Sequence, residues 1–321
     1  MKKIIIIISA ITILLLATSV GAGLYMLDYS LAADSSRGDT AKAYARLYKK
    51  HPEMRQWTDS MKNCGTLRDT FIIMPNGERH HAIYMRNDSA HGKTAIVVHG
   101  YKDSAPRYLT IARMYHQQLK RNVLLPDLHG HGLSDGDAIQ MGWHDRHDII
   151  HWAGVAEELF RDTACQSAVV LHGISMGAAT VMNVAGEENM PAYISHVIED
   201  CGYTSVWDEF SLQLKEQFSL PEFPILHISN IICKMKYGWS FREASPLAQV
   251  KKSRCPILFI HGDADTFVPF SMLQPLYEAA RNPKDVWVVK GAHHAEAFSS
   301  NPAEYEARIR AFIKGTSEAE K

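Results

Sequence analysis

No C-x-x-C pair occurs among the five cysteines, Cys64, Cys165, Cys201, Cys233 and Cys255. A structural zinc site or a thioredoxin-like redox centre uses that spacing, so neither is supported. The odd number leaves at least one cysteine without an intrachain disulfide partner. Excess charge is missing as well. Lys and Arg number 34 against 35 Asp and Glu, a formal net charge of −1. Without a basic field there is little to draw nucleic-acid phosphates. The body of the chain has no internal repeat and no low-complexity linker, which argues against solenoids and tethered arrays. What remains is 46% hydrophobic and 21% charged over 321 residues, enough chain to bury a large core.

Charge is absent most conspicuously near the start. After Lys2 and Lys3, residues Ile4 to Leu27 form a run of 24 without a charged side chain. About 20 apolar helical residues span a bilayer core. Two leading lysines keep the N-terminus cytoplasmic and send the remainder outward. A cleaved signal peptide is the rival reading, with Ser30-Leu31-Ala32 as the small-residue site. The run exceeds the roughly 7–15 apolar residues of a signal core, so a retained anchor with an extracytoplasmic domain is preferred.

The pattern divides the chain into an anchor or signal segment at 1–33, a helical linker at 34–63 and a main domain at 64–321. In the main domain short apolar runs alternate with helical patterns at 104–120, 143–162, 175–187 and 303–314. DTFIIM and HHAIYMR flank Pro75-Asn76-Gly77, a hairpin signal. TAIVVHG, NVLLPD, SAVVLHG, SHVIED, CPILFIHG and DVWVVKG follow. Continuous Val/Ile/Leu runs separated by helices predict a mainly parallel, eight-stranded α/β sheet covered on both faces. Such sheets bind ligands at the carboxyl ends of their strands. Those ends carry His99-Gly100, Asp127, His172-Gly173, Asp200 and His261-Gly262. Residues 203–245 break the alternation and are expected to form a small helical cap over the site. Its Trp207, Phe210, Phe218, Phe223 and Trp239 would line an acyl pocket or simply pack the cap. His144, His147 and His151 share a helix face, read as a polar face and not a metal site.

Gly173-Ile174-Ser175-Met176-Gly177 sits where an apolar run gives way to small, helix-forming residues. A tight strand-to-helix turn of this kind points a serine Oγ at a substrate, and side chains two residues away on either side would collide. The following helix aims its first amides at the site, which makes the Met176 amide an oxyanion donor. A second donor is expected from His99-Gly100-Tyr101-Lys102-Asp103, with Tyr101 preferred to Lys102. A serine hydroxyl needs a base, and the base an orienting acid. In this architecture the order is Ser, then acid, then His, which HGDADTFVP (261–269) and GAHH (291–294) supply at two later strand ends.

On HGYKD, DLHGHGLSDG (127–136), GISMG, HGDADTFVP and GAHH together, the sequence resembles the α/β-hydrolase fold family of serine hydrolases over about residues 65–315. The resemblance implies Asp265 as the acid and His294 as the base, with Asp263 and His293 as adjacent rivals. His129 stands where the family's loop more often has Arg, and the resemblance assigns it no role. A Ser175–His294–Asp265 triad implies a carboxylesterase-like enzyme acting on an ester or thioester through an acyl-enzyme. A serine peptidase or aminopeptidase-like amide hydrolase is the enzyme alternative. A catalytically silent binding domain of the same fold is the alternative of another class. No metal or organic cofactor is expected. The expected partners are a small-molecule acyl substrate and, through the N-terminal helix, a membrane.

Overall fold

The computed structural model describes residues 1–33, 37–281 and 283–319. The first three positions of the 34–63 linker therefore lie outside the described residues. Helices run in the order α1 (Lys2–Leu31), α2 (Thr40–Lys50), α3 (Glu53–Asn63), α4 (Leu109–Arg113), α5 (Asp145–Leu159) and α6 (Met176–Ala185). They continue as α7 (Val206–Phe218), α8 (Ile225–Tyr237), α9 (Pro246–Val250), α10 (Leu273–Ala279), α11 (Ala297–Ser300) and α12 (Pro302–Ala319). The strands are β1 (Leu67–Ile73), β2 (Arg79–Met85), β3 (Lys93–Val98), β4 (Asn122–Pro126), β5 (Ala168–Ile174), β6 (Ile194–Asp200), β7 (Ile257–Gly262) and β8 (Lys284–Val289).

These eight strands form one sheet in the order β1-β2-β4-β3-β5-β6-β7-β8. Strand β2 pairs antiparallel with β1 and with β4, and every later pairing is parallel. The fold is thus α/β, an eight-stranded and mostly parallel sheet flanked by helices. Strands β4 and β7 are buried at every position, as strands covered on both faces must be. All ten residues of α6 are buried, and its small side chains let it lie close against β5. The linker's polar residues form two helices. Asp39 caps the first of them, accepting from the Lys42 amide at 2.9 Å, and Lys49 and Lys50 close its last turn where the helix dipole favours cations.

Two compact units separate in the chain. One comprises Met1–Ala32 with Ser205–Ser245, the other Ala33–Thr204 with Pro246–Lys321. In the first unit, α1 has a mean hydropathy of 2.6 over its most apolar stretch and is long and apolar enough to cross a membrane, a character it shares with signal sequences. The 205–245 insertion has an aromatic centre of its own. Phe241 meets Phe210 edge-on at 4.9 Å and lies 6.0 Å from Trp239, which is fully buried. Phe223 is 72% exposed. Packing within the insertion therefore accounts for Phe210 and Trp239.

In the second unit a chain of buried polar groups ties β5, β6 and α12 together. His172 Nδ1 lies 2.9 Å from Tyr115 Oη, His172 Nε2 lies 2.8 Å from Tyr305 Oη, and Tyr305 Oη donates to Asp200 Oδ2 at 2.8 Å. One proton order satisfies all three. Tyr115 donates to a bare Nδ1, Nε2–H donates to Tyr305, and Tyr305 donates to the carboxyl. Burial pushes His172 down to about 3, so the ring is neutral as this order requires. Tyr305→Phe would keep the ring and orphan the His172 N–H and an Asp200 oxygen. We expect a loss of about 1–3 kcal/mol in urea unfolding of the purified chain. An unchanged midpoint would show that the chain of bonds is not formed.

Candidate active site

Ser175 stands between β5 and α6 with φ 58° and ψ −118°, a conformation costly for a residue with a Cβ. Its neighbours explain how the turn closes. A Cβ on Gly173 would fall inside the van der Waals shell of the Gly177 carbonyl, and one on Gly177 inside that of the Val98 carbonyl. Backbone cannot yield as a side chain can, so the Gly-x-Ser-x-Gly spacing is a steric requirement here. The Ser175 amide is tied to the Asp200 carbonyl at 2.8 Å, which fixes the turn against the end of β6.

Three residues separated in sequence meet at this turn. His294 Nε2 lies 2.8 Å from Ser175 Oγ, and His294 Nδ1 lies 2.7 Å from Asp265 Oδ2. Asp265 follows β7, and its Oδ1 accepts from the Phe267 and Val268 amides at 2.9 and 3.0 Å. Burial alone would raise this carboxyl, but hydrogen bonds from His261 and His294 and their charge outweigh it and hold Asp265 at about 2. It is ionised throughout the neutral range and can orient an imidazole. The rivals are placed elsewhere: Asp263 Oδ1 accepts from the Gly291 amide at 2.6 Å, and His293 Nδ1 faces the Ala264 carbonyl at 3.1 Å.

The amide of Met176 opens α6, where helix geometry provides no intrahelical acceptor. On the opposite loop the Lys102 amide donates to His131 Nε2 at 3.2 Å. Burial first, then the neighbouring His99, pushes His131 down to about 3, leaving Nε2 bare to accept. The Lys102 amide is thereby committed to that ring. His131 Nδ1 is anchored on the His129 carbonyl at 2.9 Å. His129 lies 2.9 Å from the Ala138 carbonyl and 3.1 Å from Glu78, so it shapes the loop where Arg is commoner.

The loop carrying these histidines is itself clamped. His81 lies between Asp127 at 2.7 Å and Asp69 at 2.9 Å. Burial opposes its charge, but the two carboxylates raise its pKa to about 9. Asp127 also accepts from the Ala105 and Leu133 amides, at 2.8 and 2.9 Å. Sequence pattern marked Asp127 only as a strand-end residue, and nothing in it signalled His81 as a cation between two acids. Cys201 Sγ falls with Asp265 and His294 within 4.8 Å, a spacing compatible with a metal. Both His294 nitrogens are already engaged, by Ser175 and Asp265, so hydrogen bonding accounts for the cluster. His91, Asp162 and Cys165 approach one another as closely, with two of the three side chains exposed. A cleft of about 220 Å³ opens beside His294, with Arg46, Lys50, Arg107, Asp103, Asp200 and Glu296 as the charged residues of its wall.

Residues 95–308 match the model of the Alpha/beta hydrolase family. Among curated relatives, YqkD of Bacillus subtilis is 30% identical over 220 residues, covering 68% of this chain and 70% of that protein. The alpha/beta hydrolase domain-containing protein WAV2 of Arabidopsis thaliana is 27% identical, covering 68% and 69%. Among solved structures, the Pyrococcus furiosus esterase Pf2001 is similar at TM-score 0.62 and 21% identity, over 79% of this chain and 94% of that one. A puromycin-hydrolyzing peptidase of Mycobacterium tuberculosis reaches the same TM-score at 18% identity, over 78% and 39%. Likeness at these identities speaks to the fold and does not separate ester from amide.

Two outcomes follow from the strain and the buried acids. Ser175→Gly removes a Cβ from a conformation glycine tolerates, and should stabilise the fold by about 1 kcal/mol. A lower thermal midpoint would mean that the turn is unstrained. Burial raises Glu199, whose Oε1 has no hydrogen-bond partner among the described residues, from 4.5 to about 8. The folded state therefore holds this proton more tightly than the unfolded chain. The resulting stability is full below pH 4.5 and is lost as pH rises through about 8. Glu199→Gln should flatten that alkaline decline in urea titrations, and an unaltered pH profile would rule the assignment out.

Proposed function

The chain belongs to the alpha/beta hydrolase family, and on that premise we propose that it is a serine hydrolase cleaving carboxylic esters or thioesters through an acyl-enzyme. The observation that carries the reading is the continuous line from Ser175 Oγ through His294 to Asp265, at 2.8 and 2.7 Å. His294 Nε2 removes the Oγ proton as the oxygen attacks the carbonyl. The amides of Met176 and Tyr101 hold the negative oxygen that forms. Asp265 keeps the proton on Nδ1 and stabilises the imidazolium. His294 then returns its proton to the departing alkoxide or thiolate, and water activated by the same ring releases the acid.

The cleft beside His294 presents Arg46, Lys50 and Arg107 together with Asp103, Asp200 and Glu296, so its charge does not separate an ester from an amine-bearing peptide. Helix α1 is proposed as a retained anchor, with the catalytic unit outside the cytoplasm. The leading Lys2 and Lys3 and the uncharged run behind them support that orientation.

p-Nitrophenyl esters of graded chain length, set against aminoacyl-nitroanilides, test the substrate class. Turnover of esters, absent in Ser175→Ala, is expected, and hydrolysis of the anilides alone would overturn the ester reading. Asp265→Asn should lower kcat by about 10³–10⁴-fold with a smaller change in KM. A change of only a few fold would remove Asp265 from the machinery.

A further inference from the structure

We propose that the exposed apolar side of helix α8 rests on the surface of the lipid bilayer, making the 205–245 insertion a membrane-seated element. The inference rests on the reading of α1 as a retained anchor. It begins with a length. A hydrocarbon core of about 30 Å takes about 20 helical residues. Counted from Ile4, that length of α1 ends at Gly23. The next exposed aromatics are Tyr25 and Tyr29, 63% and 46% accessible. Tyrosines at that depth sit where aromatic side chains gather, among the headgroups.

Gly23 is also where α1 meets α8. A Cβ there would come within 2.7 Å of Ile228 Cγ2, and Ser229 Oγ donates to the Gly23 carbonyl at 2.9 Å. Small residues at a helix crossing allow this close approach. Two turns on, Tyr29 packs edge-on against Phe218 at the end of α7, with ring centres 5.3 Å apart. Helix α8 is thus held against the anchor at the level where the anchor leaves the hydrocarbon.

Its sequence suits that level. Ile228, Ile231, Ile232 and Met235 fall at i, i+3, i+4 and i+7, one continuous stripe. The stripe starts on the anchor at Ile228 and runs out to Ile231 and Met235, which are 58% and 82% exposed. Phe223, 72% exposed, precedes the same helix. In water these side chains would be an unexplained apolar patch. Beside the exit of a membrane helix they face acyl chains and headgroups. Packed against the anchor, the stripe adds apolar surface where α1 leaves the hydrocarbon.

The test uses the full chain in phosphatidylcholine/phosphatidylglycerol vesicles, with the exposed Cys64 and Cys165 changed to Ser. Single cysteines placed by Ile231→Cys or Met235→Cys carry an environment-sensitive NBD label. Leu14→Cys reports the anchor and Asp88→Cys an exposed site in the other unit. The proposal expects blue-shifted emission at 231 and 235 and quenching by lipids spin-labelled near the headgroup. Position 14 should respond to deep spin labels and position 88 to none. Labels at 231 and 235 that behave like the one at 88, while 14 is quenched, would overturn the proposal and leave the anchor standing. A blue shift without quenching by lipid would also overturn it, since a protein partner would then cover the stripe. Loss of the segment carrying position 14, visible by intact mass, would remove the anchor and the proposal with it. Ester hydrolysis is not read, so the outcome is independent of the serine chemistry.

Discussion

The structure depends on a steric constraint at the junction of β5 and α6. Backbone carbonyls of Gly177 and Val98 occupy the space that side chains at 173 and 177 would need. Only with that space empty can β5 turn directly into α6, and the turn then forces Ser175 to a positive φ of 58°. The strain aims Oγ at His294 and puts the first amide of α6 beside it. A looser turn would relax the serine and separate the hydroxyl from its base. The close packing of an all-buried α6 against β5 and the chemistry proposed for its first turn are therefore one requirement.

Around that turn, environment sorts chemically similar groups into different states. Asp265, against its burial, is held at about 2 by the imidazoles of His261 and His294. Asp200 and Glu199, on the neighbouring strand and buried, are raised to about 6 and about 8. Histidines divide likewise: His81 between two carboxylates is raised to about 9, while burial, joined at His131 by the neighbouring His99, brings His131 and His172 down to about 3. The low values make fixed hydrogen-bonding posts of two rings, and the high one makes a cation that clamps the Asp127 loop. Only where an imidazole meets both a hydroxyl and an ionised carboxylate does the arrangement suit proton transfer.

Much of this was legible before any coordinates. Apolar runs alternating with helical periodicity give a parallel sheet, because a strand buried on both faces has no polar side to show. Glycines flanking Ser175 and the order of acid and base mark the site, because turn sterics and chemistry both restrict residue type. The resemblance prefers Asp265 to Asp263 and His294 to His293, and Asp265 and His294 lie 2.7 Å apart at the hydrogen-bonding atoms. Less was legible wherever meaning depends on partners distant in sequence. His81 acts through Asp69 and Asp127, and His172 through Tyr115 and Tyr305; no local pattern announces such pairings. The aromatics of the insertion left pocket and core equally open, and only packing distinguishes a buried Trp239 from an exposed Phe223. That α1 and the insertion form one compact unit was not readable either, since a glycine and a serine 206 positions apart carry the contact.

The central claim is that Ser175 is a nucleophile activated by His294. Its most direct measurement is peptide mapping of the purified chain after reaction with a fluorophosphonate, which phosphonylates only an activated serine. The account predicts a single adduct, on the peptide carrying Ser175, and its loss in His294→Ala. An adduct on another residue, or labelling that survives His294→Ala at the same rate, would contradict it.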